Sequence, residues 1–176
     1  MPTTAKSSRI DSTKSDDNTL VLNTPVGTIE LVADAEFLVE LRLKSRKKPN
    51  STTNPLLLEA KRQIEEYFEG SRFEFELPIR LKGTAFQQKV WAELSKIPYG
   101  SSISYSEQAL RLGNPEAVRA VGRANGQNPV PLIVPCHRVV GKDGSLVGYG
   151  GGLSIKEELL LLEKRHLVKM PARARA

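Results

Sequence analysis

The chain has 176 residues, of which 26 are Lys or Arg, 20 Asp or Glu, two His and one Cys, giving a formal net charge of +6. That length fits one ordinary domain or two small ones, and 39% hydrophobic with 26% charged residues is the balance of a globular chain, neither disordered nor fibrous. The lone Cys excludes an internal disulfide framework, and with only two His it leaves a Cys/His zinc site short of ligands; no apolar run nears the ~18 residues of a membrane span.

Residues 1–17 are polar and read as a disordered tail. They hold no apolar stretch of the kind a secretory signal needs, and Asp11, Asp16 and Asp17 argue against a mitochondrial presequence, so an intracellular setting is expected. From Thr19 the pattern alternates: Thr19–Thr24 and Thr28–Ala33 read as strands around a turn at Pro25–Gly27, and Phe37–Leu43 as a third. Residues 44–54 form a solvated loop. Leu56–Glu69 has helical spacing, with Leu57, Ala60, Ile64, Tyr67 and Phe68 on one side and Gly70 as its stop. Arg72–Leu77 alternates again and reads as an edge strand, and residues 78–83 as a linker. The first unit, residues 18–80, is thus a small sheet with one helix and no evident chemistry.

The second unit, residues 81–165, is mostly helical. Thr84 caps a helix to about Lys96, with Phe86, Val90 and Leu94 inward. Ser104 caps a helix from Tyr105 to Leu112, Gly113 fits the position after its end, and Asn114 and Pro115 start a further helix to about Asn125. Two helices joined by so short a turn match a helix-turn-helix, although short turns of this kind also occur in proteins that bind nothing. The second helix is thin, with Ala117, Ala120, Gly122 and Ala124, and carries Arg119 and Arg123 four residues apart. Tight packing and close approach to DNA would both use such a helix. Charge leans the same way: residues 82–176 hold 14 Lys and Arg against 7 Asp and Glu, whereas residues 1–81 hold 12 against 13. A polyanionic partner or a plain solvated basic surface fits that imbalance.

The densest chemistry lies in Asn128–Val140. Pro129, Pro131 and Pro135 exclude helix and stiffen an extended segment that delivers Cys136 to a fixed place, with His137 and Arg138 beside it as sources of positive potential. A free thiol is only a few per cent ionised at neutral pH, and a nearby base or cation raises the nucleophilic thiolate fraction. A buried, inert Cys is the alternative. Gly141–Gly144 is a turn, and Gly148–Gly152 packs four glycines into five residues, either a mobile surface loop or one whose N–H groups approach a ligand. Ser154 caps a last helix from Ile155 to about Lys164, with Leu159–Leu162 apolar and Glu163 at its end, against the helix dipole. Residues 166–176 read as a basic tail, with a solvated His166.

Together these residues resemble the O6-alkylguanine-DNA alkyltransferases, also called methylated-DNA–protein-cysteine methyltransferases. The match rests on Pro135–Val139, reinforced in order by Pro98–Gly100, Ser104–Tyr105, Gly113–Pro115, Ala120–Gly122, Asn128–Pro129, the Gly148–Gly151 loop and Lys156–Glu157 with Glu163. It is strong over residues 82–165, while residues 19–80 are similar to the family's variable N-terminal domain. The resemblance implies an α+β protein: a small RNase H-like sheet-plus-helix domain, then a mostly helical DNA-binding domain with a helix-turn-helix. It implies minor-groove binding of duplex DNA containing O6-alkylguanine through the thin helix, with Arg119 entering the base stack behind a flipped nucleotide and Ala117, Ala120 and Gly122 lining the approach.

In that reading Cys136 attacks the alkyl carbon, His137 takes the thiol proton through a water, Glu163 orients His137, and Asn128 braces the turn carrying the thiol. Tyr105 helps flipping and donates its hydroxyl to the guanine. The carbonyls of Cys136 and Val139 read the guanine amino group, and Tyr149, Gly150 and Gly151 close the pocket. The guanine leaves well only when hydrogen-bond donors stabilise it. No cofactor or metal is required, because DNA is the alkyl donor. The thioether product has no easy hydrolysis route, so one chain, acting as a monomer without a membrane, repairs one lesion and is spent.

Two departures stand out. The zinc site of some members' N-terminal domains cannot be built here, and Glu158 stands where many members carry tryptophan, which puts local packing in doubt. Alkyltransferase-like relatives lack the cysteine, and Cys136 argues against that non-enzymatic type. A regulatory DNA-binding domain would bind without becoming alkylated; a thiol hydrolase using Cys136 and His137 would turn over an ester or peptide, for which no acyl pocket is evident.

Overall fold

The computed structural model describes residues 17–172 and Arg175. The expected disordered tail lies outside the described residues except for Asp17, whose carboxylate accepts from Thr52 Oγ1 and from the N–H and Oγ1 of Thr53.

Three strands, β1 (Thr19–Thr24), β2 (Gly27–Ala33) and β3 (Leu38–Arg42), form an antiparallel sheet in that order. Period-two alternation turns Ile29, Leu31 and Ala33 to the core. In β3 the buried Leu38 and Leu41 are three residues apart, a spacing that a straight strand would put on opposite faces; a register shift at Val32/Ala33 absorbs the extra residue. Against this sheet lies α1 (Pro55–Glu69). Asn54 accepts from Leu56 N and Leu57 N, Pro55 occupies the first turn where no N–H is needed, and Gly70 ends the helix at φ 77°. Leu57, Ala60, Ile64 and Tyr67 face inward as expected.

The edge strand expected over Arg72–Leu77 does not form. Gln63, buried on α1, takes both backbone groups of Glu76, donating to its carbonyl at 3.0 Å and accepting from its N–H at 2.8 Å. A side chain thus satisfies the backbone that a strand partner would have used, and only Ile79 makes an isolated bridge, to Leu38.

In the second unit, Thr84 and Gln87 form a reciprocal capping box that starts α2 (Ala85–Leu94). Ser104 caps α3 (Tyr105–Arg111), and Gly113 follows its end at φ 74°. The next helix departs from expectation: Asn114 makes no side-chain cap, Pro115–Ala117 is a 3-10 turn, and α4 runs over Val118–Gly126. Helices α3 and α4 are joined by a buried pair of amides. Asn125 Nδ2 donates to Gln108 Oε1 at 2.7 Å, and Gln108 Nε2 donates back to Asn125 Oδ1 at 3.2 Å. Trp91 Nε1 of α2 donates to Ala124 O at 2.8 Å. Asn125→Leu strands Gln108 Oε1, while Nε2 keeps the Val90 carbonyl at 3.3 Å, so a loss of about 1–3 kcal/mol is expected in urea unfolding, and the double variant with Gln108→Leu should recover part of it.

The Asn128–Val140 segment is not extended as expected. It folds into a tight turn bridged by Pro131 and Val134, with Leu132 at φ 77°, then a 3-10 turn at Cys136–Arg138. Proline's fixed φ suits such turns as well as extended chain. Strand β5 (Val139–Val140) then pairs parallel with β4 (Ile103–Ser104), a two-residue pairing too short to show in sequence.

The last helix, α5 (Leu153–His166), begins after Gly152 at φ 93°, which places Ser154 inside the helix and not at its cap. It runs on to His166, and a 3-10 turn at Leu167–Lys169 brings Met170 into the core. The basic segment from residue 166 is therefore folded at its start. His166 is half-buried, its ring occupying the space beside Gly70 where a Cβ would meet it at 2.6 Å. Glu158 is exposed on α5, so no core contact depends on it. Among the described residues no helix is long and apolar enough to cross a membrane.

Candidate active site

The Cys136 turn is held from three sides. Asn128 Nδ2 donates to Val134 O at 2.8 Å and its Oδ1 accepts from Val130 N at 3.0 Å, closing the turn ahead of the thiol. Leu41 N of β3 donates to Pro129 O at 2.8 Å. The β4–β5 pairing anchors the far side. Asn128 thus ties Val130 to Val134 across the turn that precedes the thiol.

Cys136 is 6% exposed. Burial pushes its thiol up to about 11, against the opposing pull of Asn128 and the Lys156 ammonium. The resting group is therefore a thiol, and no adjacent cation holds it as thiolate. Alkylation by iodoacetamide should be slow at neutral pH and still climbing at pH 10, where a simple thiol of pKa ~8.5 has levelled off. A rate that plateaus below pH 9, read by intact mass, would contradict this environment.

Beside it, His137 and Glu163 are fully buried and lie 2.7 Å apart, Nε2 to Oε1. Arg138 completes the group, donating through Nε to Glu163 Oε2 at 3.0 Å and through Nη2 to Oε1 at 2.9 Å, while its Nη1 donates to Ile97 O at 2.7 Å. Gly100 N and the Tyr67 hydroxyl donate to Glu163 as well, at 2.9 and 2.7 Å. The imidazole and guanidinium partners hold the Glu163 carboxyl well below the usual range, overcoming its burial. Burial lowers His137, and Arg138 reinforces this by balancing the Glu163 charge that would otherwise raise it. The pair is thus an ionised carboxylate and a neutral imidazole. With Nε2–H donated to Glu163, Nδ1 is left as an acceptor, and it is buried without a partner among the described residues. A neutral imidazole with an unpartnered acceptor nitrogen thus sits in the residue next to a protonated thiol.

Across the thiol lies the Gly-rich loop. The Tyr149 hydroxyl is the other buried polar atom without a partner among the described residues. Gly151 is buried, and a Cβ there would meet Leu43 Cδ1 at 2.6 Å and Tyr149 at 3.1 Å, so any side chain at that point would displace the end of Leu43. Gly150 is exposed. Tyr105 donates its hydroxyl to Val147 O at 2.7 Å; burial raises it to about 12, which keeps it a donor at neutral pH. Lys156 of α5, fully buried, lies 2.9 Å from Val147 O and 3.3 Å from the Tyr105 hydroxyl. Burial brings its ammonium down to about 8. Val139, whose carbonyl was expected to read the guanine, is buried in β5.

Sequence reasoning named Arg138 beside the thiol as a source of positive potential but gave it no tie to Glu163, and it assigned Lys156 and Tyr67 no part in this group. Lys156 and Glu163 stand seven residues apart, two helical turns, on the same face as the buried Leu159; two charges on an apolar face were the available signal. Tyr67 had none, being 96 positions from its partner.

The α4 surface stands apart from the thiol. Arg119, Ala120 and Arg123 are exposed and, with Thr84 and Gln87 of the α2 start, line one groove. Ala117 is half-buried where the helix begins. Gly122 turns toward the Tyr105 ring, which an added Cβ would meet at 3.7 Å, an ordinary contact. Of Ala117, Ala120 and Gly122, Ala120 is therefore the exposed one beside Arg119.

Two family models match: the 6-O-methylguanine DNA methyltransferase DNA binding domain over residues 85–165 and the ribonuclease-like domain of the same methyltransferase over residues 19–81. The methylated-DNA–protein-cysteine methyltransferase of Mycolicibacterium paratuberculosis is 44% identical over 150 residues, 82% of this chain and 91% of the relative. The constitutive enzyme of that name from Bacillus subtilis is 44% identical over 151 residues, covering 80% and 92%. The crystal structure of Mycobacterium tuberculosis OGT in complex with DNA superposes with a TM-score of 0.77 at 44% identity, over 88% of this chain and 95% of that one.

Proposed function

The chain belongs to the 6-O-methylguanine DNA methyltransferase family, and on that premise we propose that it repairs duplex DNA by moving the alkyl group of O6-alkylguanine onto Cys136, once per chain. The observation that carries this reading is the buried Cys136–His137–Glu163 group, with a thiol that needs a base and an imidazole whose Nδ1 is free to act as one.

The bonds balance simply. His137, through a water, takes the Cys136 proton; Sγ attacks the alkyl carbon from behind the C–O6 bond; an S–C bond forms as C–O6 breaks. The electron pair left on the guanine is met by a proton from the Tyr105 hydroxyl, with backbone N–H groups of Tyr149, Gly150 and Gly151 as donors to O6. Lys156, within reach of Tyr105, helps return that proton. The released guanine carries one proton and the thiol has lost one. The donor is the DNA, so no cofactor enters.

For this step Tyr105 must leave the Val147 carbonyl, so the loop and the hydroxyl move together when a base enters. Arg119 fills the vacated place in the stack, Ala120 allows close approach to the minor groove, and Ala117 and Gly122 support that helix from behind. Val139 and Cys136 read the guanine amino group through their carbonyls. The two working units are residues 18–80 and 81–165, and the protein acts inside the cell as a monomer.

The test is intact mass after incubation with a duplex containing O6-methylguanine, then peptide mapping. One methyl on Cys136, saturating at one per chain, is expected. An unmodified chain that still binds the duplex would replace this reading with lesion sensing.

A further inference from the structure

Glu163 is also gripped from the N-terminal unit. Tyr67, in the last turn of α1, is fully buried, and its ring is fixed by edge contacts with Phe68 and Tyr99, at centroid distances of 5.3 and 5.8 Å, and by Phe75 at 5.4 Å. Its hydroxyl reaches 96 positions along the chain to donate to Glu163 Oε1 at 2.7 Å. A buried hydroxyl needs an acceptor, and many would serve. This one is the oxygen that also faces His137 Nε2 at 2.7 Å and Arg138 Nη2 at 2.9 Å. Donors on one oxygen compete. Charge drawn toward the tyrosine hydroxyl is unavailable to the imidazole N–H, and the pull on Nε2–H sets how strongly Nδ1 holds a proton.

We propose that Tyr67 is a positioning residue for alkyl transfer, acting through Glu163 Oε1 to moderate the basicity of His137. The proposal rests on the reading of His137 as general base. The other charged and titratable groups around His137 are accounted for as follows. Glu163 on α5 favours its protonated form. Arg138 on the same turn and Lys156 on α5 oppose it. Cys136 and the Tyr149 hydroxyl are neutral at rest, and Tyr99 approaches from the segment after α2. Tyr67 is the neutral donor among them that touches the oxygen serving the base, and it makes the N-terminal unit a participant in chemistry carried out by the other.

The experiment uses the full chain. Tyr67→Phe removes the hydroxyl, and site-specific 3-fluorotyrosine at position 67 keeps the ring and strengthens the donor. Two readouts are taken across pH: the single-turnover rate of methyl transfer to Cys136, and the 15N titration of His137, whose only companion histidine is His166. Tyr67→Phe is expected to move the His137 titration and the acid limb of the rate profile upward by about half a unit or more, and fluorotyrosine to move both downward. Affinity for undamaged duplex should not change. Titrations within about 0.2 unit of the native protein in both variants, or shifts of the same sign, overturn the proposal, even if melting temperature falls, since a purely structural tyrosine would do only that. Should Tyr67→Phe fail to fold, the fluorotyrosine protein alone decides. If the unaltered chain takes up no methyl, the underlying reading has failed; if it is methylated normally and the titrations stay put, only the role of Tyr67 has.

Discussion

Cys136→Ala is expected to transfer no methyl group at all while binding duplex DNA within about twofold of the unaltered chain. The sequence contains no second thiol to substitute. The surface assigned to DNA, with Arg119, Ala120 and Arg123 exposed on α4, is a different element from the 3-10 turn carrying the thiol, so removing one sulfur leaves it intact. Cys136→Ser should be equally silent, because a hydroxyl at this buried position is far harder to deprotonate than a thiol. Intact mass after long incubation with an O6-methylguanine duplex checks transfer, and fluorescence anisotropy checks binding. Methylation of either variant would mean that another side chain is the acceptor.

The second large effect belongs to Glu163. Its carboxylate is fully buried and accepts from Tyr67, Gly100, His137 and Arg138. Glu163→Ala leaves the Arg138 guanidinium buried without its counter-charge, the situation in which breaking a buried pair costs about 3–5 kcal/mol. Transfer should fall about a hundredfold or more, since His137 loses both its orientation and its tautomer. Glu163→Gln keeps the volume and separates charge from shape. The Glu163 carboxyl is held below its ordinary value of 4.5 in the fold. Its contribution to stability is therefore present above that value and is lost as pH falls below it. His137, held below its ordinary 6.5, adds to the same acid loss, because a buried neutral imidazole must be charged. The melting temperature of the unaltered chain should thus begin to drop below pH 6.5 through His137 and drop further below pH 4.5 through Glu163, whereas that of Glu163→Gln should start lower and lack the second loss. Curves that stay parallel below pH 4.5 would show that the Glu163 charge contributes nothing.

Local signals were legible before any coordinates. The meander strands show as alternation, α1 as helical spacing with a Gly70 stop and α2 as a Thr84 cap, whereas the three prolines around one Cys suggest an extended segment where the chain turns. Each depends on residues within a few positions of each other. What was missed depends on distance. Arg72–Leu77 alternates like a strand, yet Gln63 had already taken the backbone of Glu76. The α5 start was misplaced because a free-standing Gly152 outweighs a capping serine two positions later. His166 looked solvated because nothing near it in sequence shows the space left by Gly70. Cys136 and His137 were visible as neighbours; Tyr67 and Lys156 join them only through tertiary packing.

The three-stranded sheet has two outer strands, and bare strand edges invite a second chain to pair. Here both are occupied without a further strand. On β1, one residue imitates a partner: Asn50 accepts from Val21 N through Oδ1 at 2.7 Å, donates its own N–H to Val21 O at 3.2 Å, and donates through Nδ2 to Thr19 O at 3.2 Å. On β3, Pro78 O and Arg80 N meet Leu38, and Pro129 O meets Leu41 N. Prolines supply two of those acceptors, and a proline cannot pass a ladder onward because it has no N–H to offer. The consequence concerns association and not catalysis: the stretches Thr19–Val21 and Leu38–Leu41 have their outward backbone groups already taken, which leaves a second copy less edge on which to add a strand while the chain stands folded and unreacted.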